Sequence, residues 1–417
     1  MQASQKKFWS SSVLLLLSRT LAKLATIVVV VIAARYLGVT NFGLFNSILA
    51  ISAFSGIISD FGLVLPTIRS IAKSEEKENL ILSRTLPNRI ILGAVACAII
   101  TVIGLYFNFP AFLVLLLSIA SIFEMTGTTL VRSLEGVSEF KLVSKYIVVE
   151  RLLYGSFAIS SIILFQNVYL LVIAIVFAHS LYIVVAVNVF QKRFGRLFFR
   201  FSYTDFMNCL KLGFPFFLTV IFSAVYYRTD ILLINRFCTL NDAGYYNSAM
   251  RIIEAQMMVP LTMMTTIFPQ LSSLFHQQSG QFLKVLRRSL SIFLLAGVLF
   301  ALITFFGSDY FIVILYSEKY SLAIPVLRIL SIMLLFYFLN AILFQTLVAM
   351  HKEKIFTLVI VASALLSIAG NVYFLPLYGI TSAAWTRVVI EIVSCFGVSV
   401  FLLVKISRSK IFGTTGS

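Results

Sequence analysis

One feature limits this chain more than any other: a run of about twenty apolar residues that recurs from one end to the other. Apolar segments fall at about 10–34, 43–66, 87–107, 111–131, 143–164, 168–190, 212–234, 244–270, 289–315, 322–350, 355–375 and 379–404. Each is long enough to cross a bilayer, which takes about 20 residues at 1.5 Å rise. Hydrocarbon offers no water to the backbone, so each run must pair its N–H and C=O groups internally as a helix. A transmembrane barrel would instead show ten-residue segments of alternating polarity. The chain is 60% hydrophobic and 12% charged, against about 45–50% apolar and 25% charged for soluble domains. The expectation is an all-α integral membrane protein with twelve transmembrane helices. Because the pattern fills the whole length, a soluble domain on a single anchor is excluded.

Lys and Arg mark the connections kept in the cytoplasm. Alternate connections carry Lys6 and Lys7; Arg69, Lys73, Lys77, Arg84 and Arg89; Arg132, Lys141 and Lys145; Lys192, Arg193, Arg196, Arg200 and Lys211; Lys284, Arg287 and Arg288; Lys352 and Lys354; Lys405, Arg408 and Lys410. The other side has Arg35, Arg236 and Lys319. An even helix count then puts both termini in the cytoplasm. The start, MQASQKKFW before a long apolar run, lacks a small-residue cleavage site and reads as a retained first helix. The net charge of +17 therefore reports topology, and no nucleic-acid partner is expected. The basic, aromatic segment QKRFGRLFFRFSYTDFMNCLK at 191–211 reads as lying on an anionic inner leaflet. SIAKSEEKENLILSRT at 70–85 reads as a short amphipathic helix on the same side. Cys97, Cys209, Cys238 and Cys395 are scattered without a CxxC, so neither a metal site nor a disulfide framework is expected.

The two halves repeat. RYLGVTNFGLFNS from Arg35 and RFCTLNDAGYYNS from Arg236 share Arg, a Gly eight residues later and then Asn-Ser. PTIRSI from Pro66 and PQLSSL from Pro269 close the following helices alike. Six helices separate the copies, so both halves keep one topology and are related by an axis along the membrane normal. The expected lobes are 1–200, with helices 1–6, and 201–417, with helices 7–12.

ARYLGVTNFGLFN…SDFGLVLPTIRSIAK resembles the N-terminal signature of polysaccharide flippases in the multidrug/oligosaccharidyl-lipid/polysaccharide exporter superfamily. GFPFFLTVIFSAVYYRTDILLINRFCTLNDAGYYNSA is similar to the second-half signature of the same family. The resemblance implies two pseudo-symmetric six-helix bundles around a central cavity that opens alternately to each side. It implies an O-antigen-type flippase of the bacterial cytoplasmic (inner) membrane, moving an undecaprenyl-pyrophosphate-linked oligosaccharide to the periplasmic leaflet. The implied partners are that glycolipid, membrane lipids, a glycan polymerase and a chain-length regulator. No cofactor is implied beyond a coupling H+ or Na+. Two departures matter: the two extra C-terminal helices usual in lipid II flippases are not matched, and Arg19 and Lys23 stand where drug exporters often carry an acid. A multidrug/cation antiporter is the rival transporter. No P-loop, HExxH or nucleophile elbow occurs, so no enzymatic activity is expected. A membrane glycan polymerase, the rival from another class, would need a larger outward loop than the short connections here.

Charges inside the spans are the candidate site. A charge at the bilayer centre costs roughly 2.5–3.5 kcal/mol, so each must face a wet cavity or a partner. Arg19, Lys23, Arg228, Arg251 and Arg387 are the expected substrate-binding cations, because guanidinium forks suit phosphate. Arg19 and Lys23 fall roughly 15 and 20 Å along the first helix. Arg251, Arg328 and Arg387 fall in the first turns of helices that start outside, which suggests a ladder drawing the head group outward. The plainer reading stands beside it. Arg251–Glu254 (i, i+3) and Arg387–Glu391 (i, i+4) can be self-paired bridges, while Arg228 and Asp230 point to different sides. Arg151 and Arg328, near helix ends, can snorkel. Glu124 has no charge within four residues, which makes it the first candidate for ion coupling, with Asp60 and Asp230 as rivals. His179, the one histidine of helix 6, reads as a packing residue. Tyr226, Tyr227, Tyr245 and Tyr246 suit stacking on sugars, and Pro66, Pro215, Pro260, Pro269 and Pro325 are candidate bend points.

Overall fold

The computed structural model describes residues 2–73, 77–199, 201–277 and 281–408, and among these the side chains other than those of 2–13, 16 and 406–408. All regular structure in the described residues is helical: α1 (Gln2–Asp60), α2 (Val64–Ala72), α3 (Glu78–Tyr106), α4 (Ala111–Ser133), α5 (Phe140–Phe165) and α6 (Val168–Phe194), then α7 (Tyr203–Phe237), α8 (Leu240–His276), α9 (Gln281–Tyr316), a 3-10 turn (Glu318–Ala323), α10 (Ile324–Ala349), α11 (Glu353–Tyr378) and α12 (Ile380–Arg408). Ten of these helices are long and apolar enough to cross a membrane. α1 has 59 residues, about 88 Å at 1.5 Å per residue, far longer than one crossing. It divides at Gly38, whose φ of 75° and ψ of 170° suit a residue without Cβ. Counting both arms of α1 and the more polar α8, the described helices are consistent with the expected twelve. At the equivalent point of the second half the chain breaks fully. There Thr239 and Asp242 form a reciprocal capping box that starts α8.

The chain forms two compact units, Met1–Ala224 and Val225–Ser417. In the first, α1 packs on α3, α4 and α5, and α4 on α6. Its interior includes Leu82, Leu86, Leu130, Val143, Tyr182 and Phe190. In the second, α10 is central, covered by α8, α9 and α12, with α11 against α12; Phe293, Phe338, Ile342 and Leu347 lie in its core. The division falls inside α7, not in the basic segment before it. Early α7 is held by the first unit, where the rings of Phe61 and Phe217 stack at 4.3 Å. A Cβ on Gly213 would stand 2.2 Å from the Phe61 carbonyl oxygen, so only glycine permits that approach. Leu164, Leu295 and Phe306 are at least 70% exposed, as suits helices whose outer faces meet lipid.

Two local expectations change: the helix at 70–85 and two of the proline bend points. Segment 70–85 is not one amphipathic helix: its flanks end α2 and begin α3, and 74–76 lie outside the described residues. In 191–211 the ends of α6 and α7 flank a short non-helical stretch, with Arg200 outside the described residues, as is Lys410 in the C-terminal connection. The side chains of Lys6, Lys7 and Arg408 are likewise outside them. Pro215, Pro260 and Pro269 lie within helices, while Pro66 and Pro325 sit in first turns, where a missing N–H breaks no helical bond.

Candidate functional site

Glu124 of α4, Glu150 and Arg151 of α5 and His179 of α6 meet inside the first unit. The Arg151 guanidinium bridges the two carboxylates, with Nη2 3.0 Å from Glu124 Oε1 and Nε 2.8 Å from Glu150 Oε2. The other carboxylate oxygens turn to the imidazole: His179 Nε2 is 3.6 Å from Glu150 Oε1 and 4.0 Å from Glu124 Oε2. The Tyr154 ring lies 5.7 Å from the imidazole. Glu150 and His179 are buried, whereas the side chains of Glu124 and Arg151 are 37% and 27% exposed. Glu150 Oε1 and both imidazole nitrogens have no hydrogen-bond partner among the described residues. A second buried pair joins Asp60 to α3, where Arg89 Nη2 stands 2.7 Å from Asp60 Oδ1. Arg89 also donates to Thr129 Oγ1.

In the second unit, Arg387 of α12 grips α7. Its Nη1 donates to the Tyr226 carbonyl at 2.6 Å, and its Nη2 to the Tyr227 carbonyl and Asp230 Oδ2 at 3.0 Å each. The guanidinium also lies 4.5 Å from the Tyr226 ring centroid. Asp230 is completed by the Tyr246 hydroxyl and the Ile231 N–H, which both donate to it. Glu391 accepts from the Tyr226 hydroxyl at 2.6 Å and from Asn340 Nδ2. Outside the spans, burial pushes the Cys238 thiol up to about 11, so it is no nucleophile at neutral pH.

The family profile described as "Polysaccharide biosynthesis protein" matches residues 8–275. The chain belongs to this family. No curated protein sequence matches it significantly. Among solved structures it is similar to the lipid II flippase MurJ in an inward closed conformation, with a TM-score of 0.78, 14% identity and coverage of 94% of this chain and 87% of that one. It is also similar to an inward-facing multidrug resistance MATE family transporter of the MOP superfamily (TM-score 0.66, 13% identity, 93% and 96% covered). A mutant of the Vibrio cholerae MATE transporter VcmN gives 0.59 at 14% identity, with 98% of each chain covered. At these identities the likeness is one of fold. This polysaccharide biosynthesis protein is thus a multi-pass membrane protein with the fold seen in MurJ and MATE transporters.

In this family member the expected site residues separate into groups. Arg19 is 2.7 Å from Glu135 in the turn after α4, which also takes Arg132 at 3.2 Å. Arg19 therefore lies level with the end of α4, nearer the bundle end than its count along the helix suggests. Lys23, one turn further, is exposed. Arg228 is half-buried on α7, next to the stretch that Arg387 holds. Arg251 pairs with Glu254 at 2.8 Å, the local bridge that i, i+3 spacing allows. Arg387 does not pair with Glu391; it crosses to Asp230, and Glu391 finds Tyr226 and Asn340. Glu124 is not a lone carboxyl but half of a bridged pair. Arg89, counted above among loop cations, is 1% exposed in α3. Arg151 does not snorkel; it lies among the carboxylates. Arg328 meets Asp309 at 2.6 Å on an exposed face. The residues missed are Glu150, His179 and Arg89. The signal that could have found the first two is depth: Glu124, Glu150–Arg151 and His179 each fall midway along consecutive antiparallel helices.

Proposed function

We propose that this protein is a flippase that carries an undecaprenyl-pyrophosphate-linked oligosaccharide, such as an O-antigen repeat unit, from the cytoplasmic to the periplasmic leaflet of the inner membrane. Alternating access and ion-coupled antiport complete the reading, with both termini cytoplasmic and no covalent chemistry on the substrate. The observation that carries it is membership of the polysaccharide biosynthesis family on a fold shared with a lipid II flippase. The charge pattern supports it. Arg19, Lys23, Arg228 and Arg251 retain some exposure and are the groups for the pyrophosphate, while buried Arg387 braces the α7 stretch that carries Arg228. Glu124 and its neighbours are the coupling candidates within the first unit.

Deletion of the gene in its host tests the reading. Lipid-linked repeat units should accumulate on the cytoplasmic face, and surface glycan should return with the wild-type chain. Single units exported and attached without polymerisation would indicate a polymerase instead. A drug/cation antiporter is the second reading, favoured by near-complete mutual coverage with the MATE transporters. It predicts altered drug susceptibility with normal glycan.

A further inference from the structure

We infer that Glu124 Oε2, Glu150 Oε1 and His179 Nε2 form a seat for one borderline divalent metal ion with affinity for imidazole nitrogen, not for an alkali ion. Glu124, Glu150 and His179 each offer a ligand atom within 4.8 Å of the other two. One centre about 2.0–2.5 Å from each, the usual range of metal–ligand bonds, fits that spacing with little movement. Arg151 occupies the opposite oxygen of each carboxylate, so it orients the pair without filling the seat.

The decisive observation is His179. It is 4% exposed, and neither ring nitrogen has a hydrogen-bond partner among the described residues. A buried imidazole that only filled space would be expected to satisfy at least one nitrogen. The nitrogen also selects the ligand class. Alkali and alkaline-earth ions take oxygen donors, whereas imidazole suits zinc-like metals. The titratable and charged groups around the ring are Glu124 from α4, Glu150, Arg151 and Tyr154 from α5, and Tyr182 one turn along α6. The neighbouring α1 brings Val29 against Gly155, one turn from Arg151. The partly exposed Glu124 and Arg151 mark the way in. A coupling role for the cation rests on the flippase reading; its binding does not.

The chain has three histidines. His276 and His351 are exposed and lie 3.1 Å apart, Nε2 to Nε2, so H276Q/H351Q leaves His179 as the sole imidazole and removes a competing metal chelate. The full chain in nanodiscs, with ring-15N histidine, is titrated with Zn2+ and, separately, with Na+ at constant pH. The expected result is a single His179 resonance that moves saturably with Zn2+ and is unmoved by Na+. A resonance unmoved by Zn2+, or moved as strongly by Na+, overturns the proposal. Glu150→Gln should weaken Zn2+ binding more than about tenfold; unchanged affinity in a folded variant also overturns it. Should that variant fail to fold, the parent titrations decide. No transport is measured, so failure of the flippase reading leaves this result standing.

Discussion

Each unit sets an arginine against acids among its helices, yet the Arg387 and Arg151 networks treat the charge differently. In the second unit Arg387 and Asp230 are each 2% exposed, and Asp230 is completed by Tyr246 and the Ile231 N–H, while the guanidinium also takes two backbone carbonyls. In the first unit Arg151 reaches two carboxylates, but Glu150 Oε1 and both His179 ring nitrogens beside it make no hydrogen bond among the described residues. The charge of Arg387 ties helices together as a clamp, although its Nε makes no hydrogen bond among the described residues. What sets the Arg151 cluster apart is that its unpartnered carboxylate oxygen and imidazole nitrogen converge with a second carboxylate. Buried charge alone therefore does not mark a binding site; convergence of ligand atoms does.

The largest expected effect tests the clamp. Arg387→Met leaves Asp230 buried without its cation and should cost about 3–5 kcal/mol. It would be read as a large drop in thermal unfolding temperature in detergent, partly restored by Asp230→Asn in the same chain. Lysine at 387 should restore less than the double variant, because it cannot span two carbonyls and a carboxylate at once. Next comes Gly213→Ala, where a Cβ would collide with the Phe61 carbonyl; we expect a loss of about 1–3 kcal/mol in the same assay.

Arg151→Gln sharpens the contrast. Glu150 is buried but Arg151 and Glu124 are partly exposed, so stability should fall by less than in Arg387→Met, while export of glycan in a complemented deletion strain is lost. A stability loss as large as that of Arg387→Met would show that both units are clamps and erase the distinction. Smallest of all is Arg328→Ala, which removes an exposed pair with Asp309 and should cost under about 1 kcal/mol with glycan export unchanged.

The helical segments and the repeat between the halves were legible because each depends on residues close in the chain, whereas the helix lengths were not: α1 runs through the connection expected near residue 40 with only the kink at Gly38. Arg251–Glu254 was legible for the same reason, since i, i+3 neighbours meet on any helix. Arg387 shows where that reasoning stops. Glu391 is also within local reach, but α12 is turned so that the guanidinium meets α7, and Asp230 with two carbonyls offers it more partners. Arg89 was assigned to a loop by the positive-charge pattern, whereas α3 begins at Glu78 and carries it inward to Asp60. His179 carried no signal in its own neighbourhood, because its companions come from the two preceding helices.

By itself, then, the sequence determined a membrane-embedded, all-helical chain in two related halves, because hydrocarbon compels every backbone group to bond locally and that rule can be read residue by residue. Tertiary structure alone decided that Arg387 meets Asp230 and Arg151 meets Glu124, where α7 passes from one unit to the other and where unpartnered ligand atoms converge. Those outcomes depend on how helices rotate and at what depth they face each other, quantities that belong to the packed bundle and to no single segment.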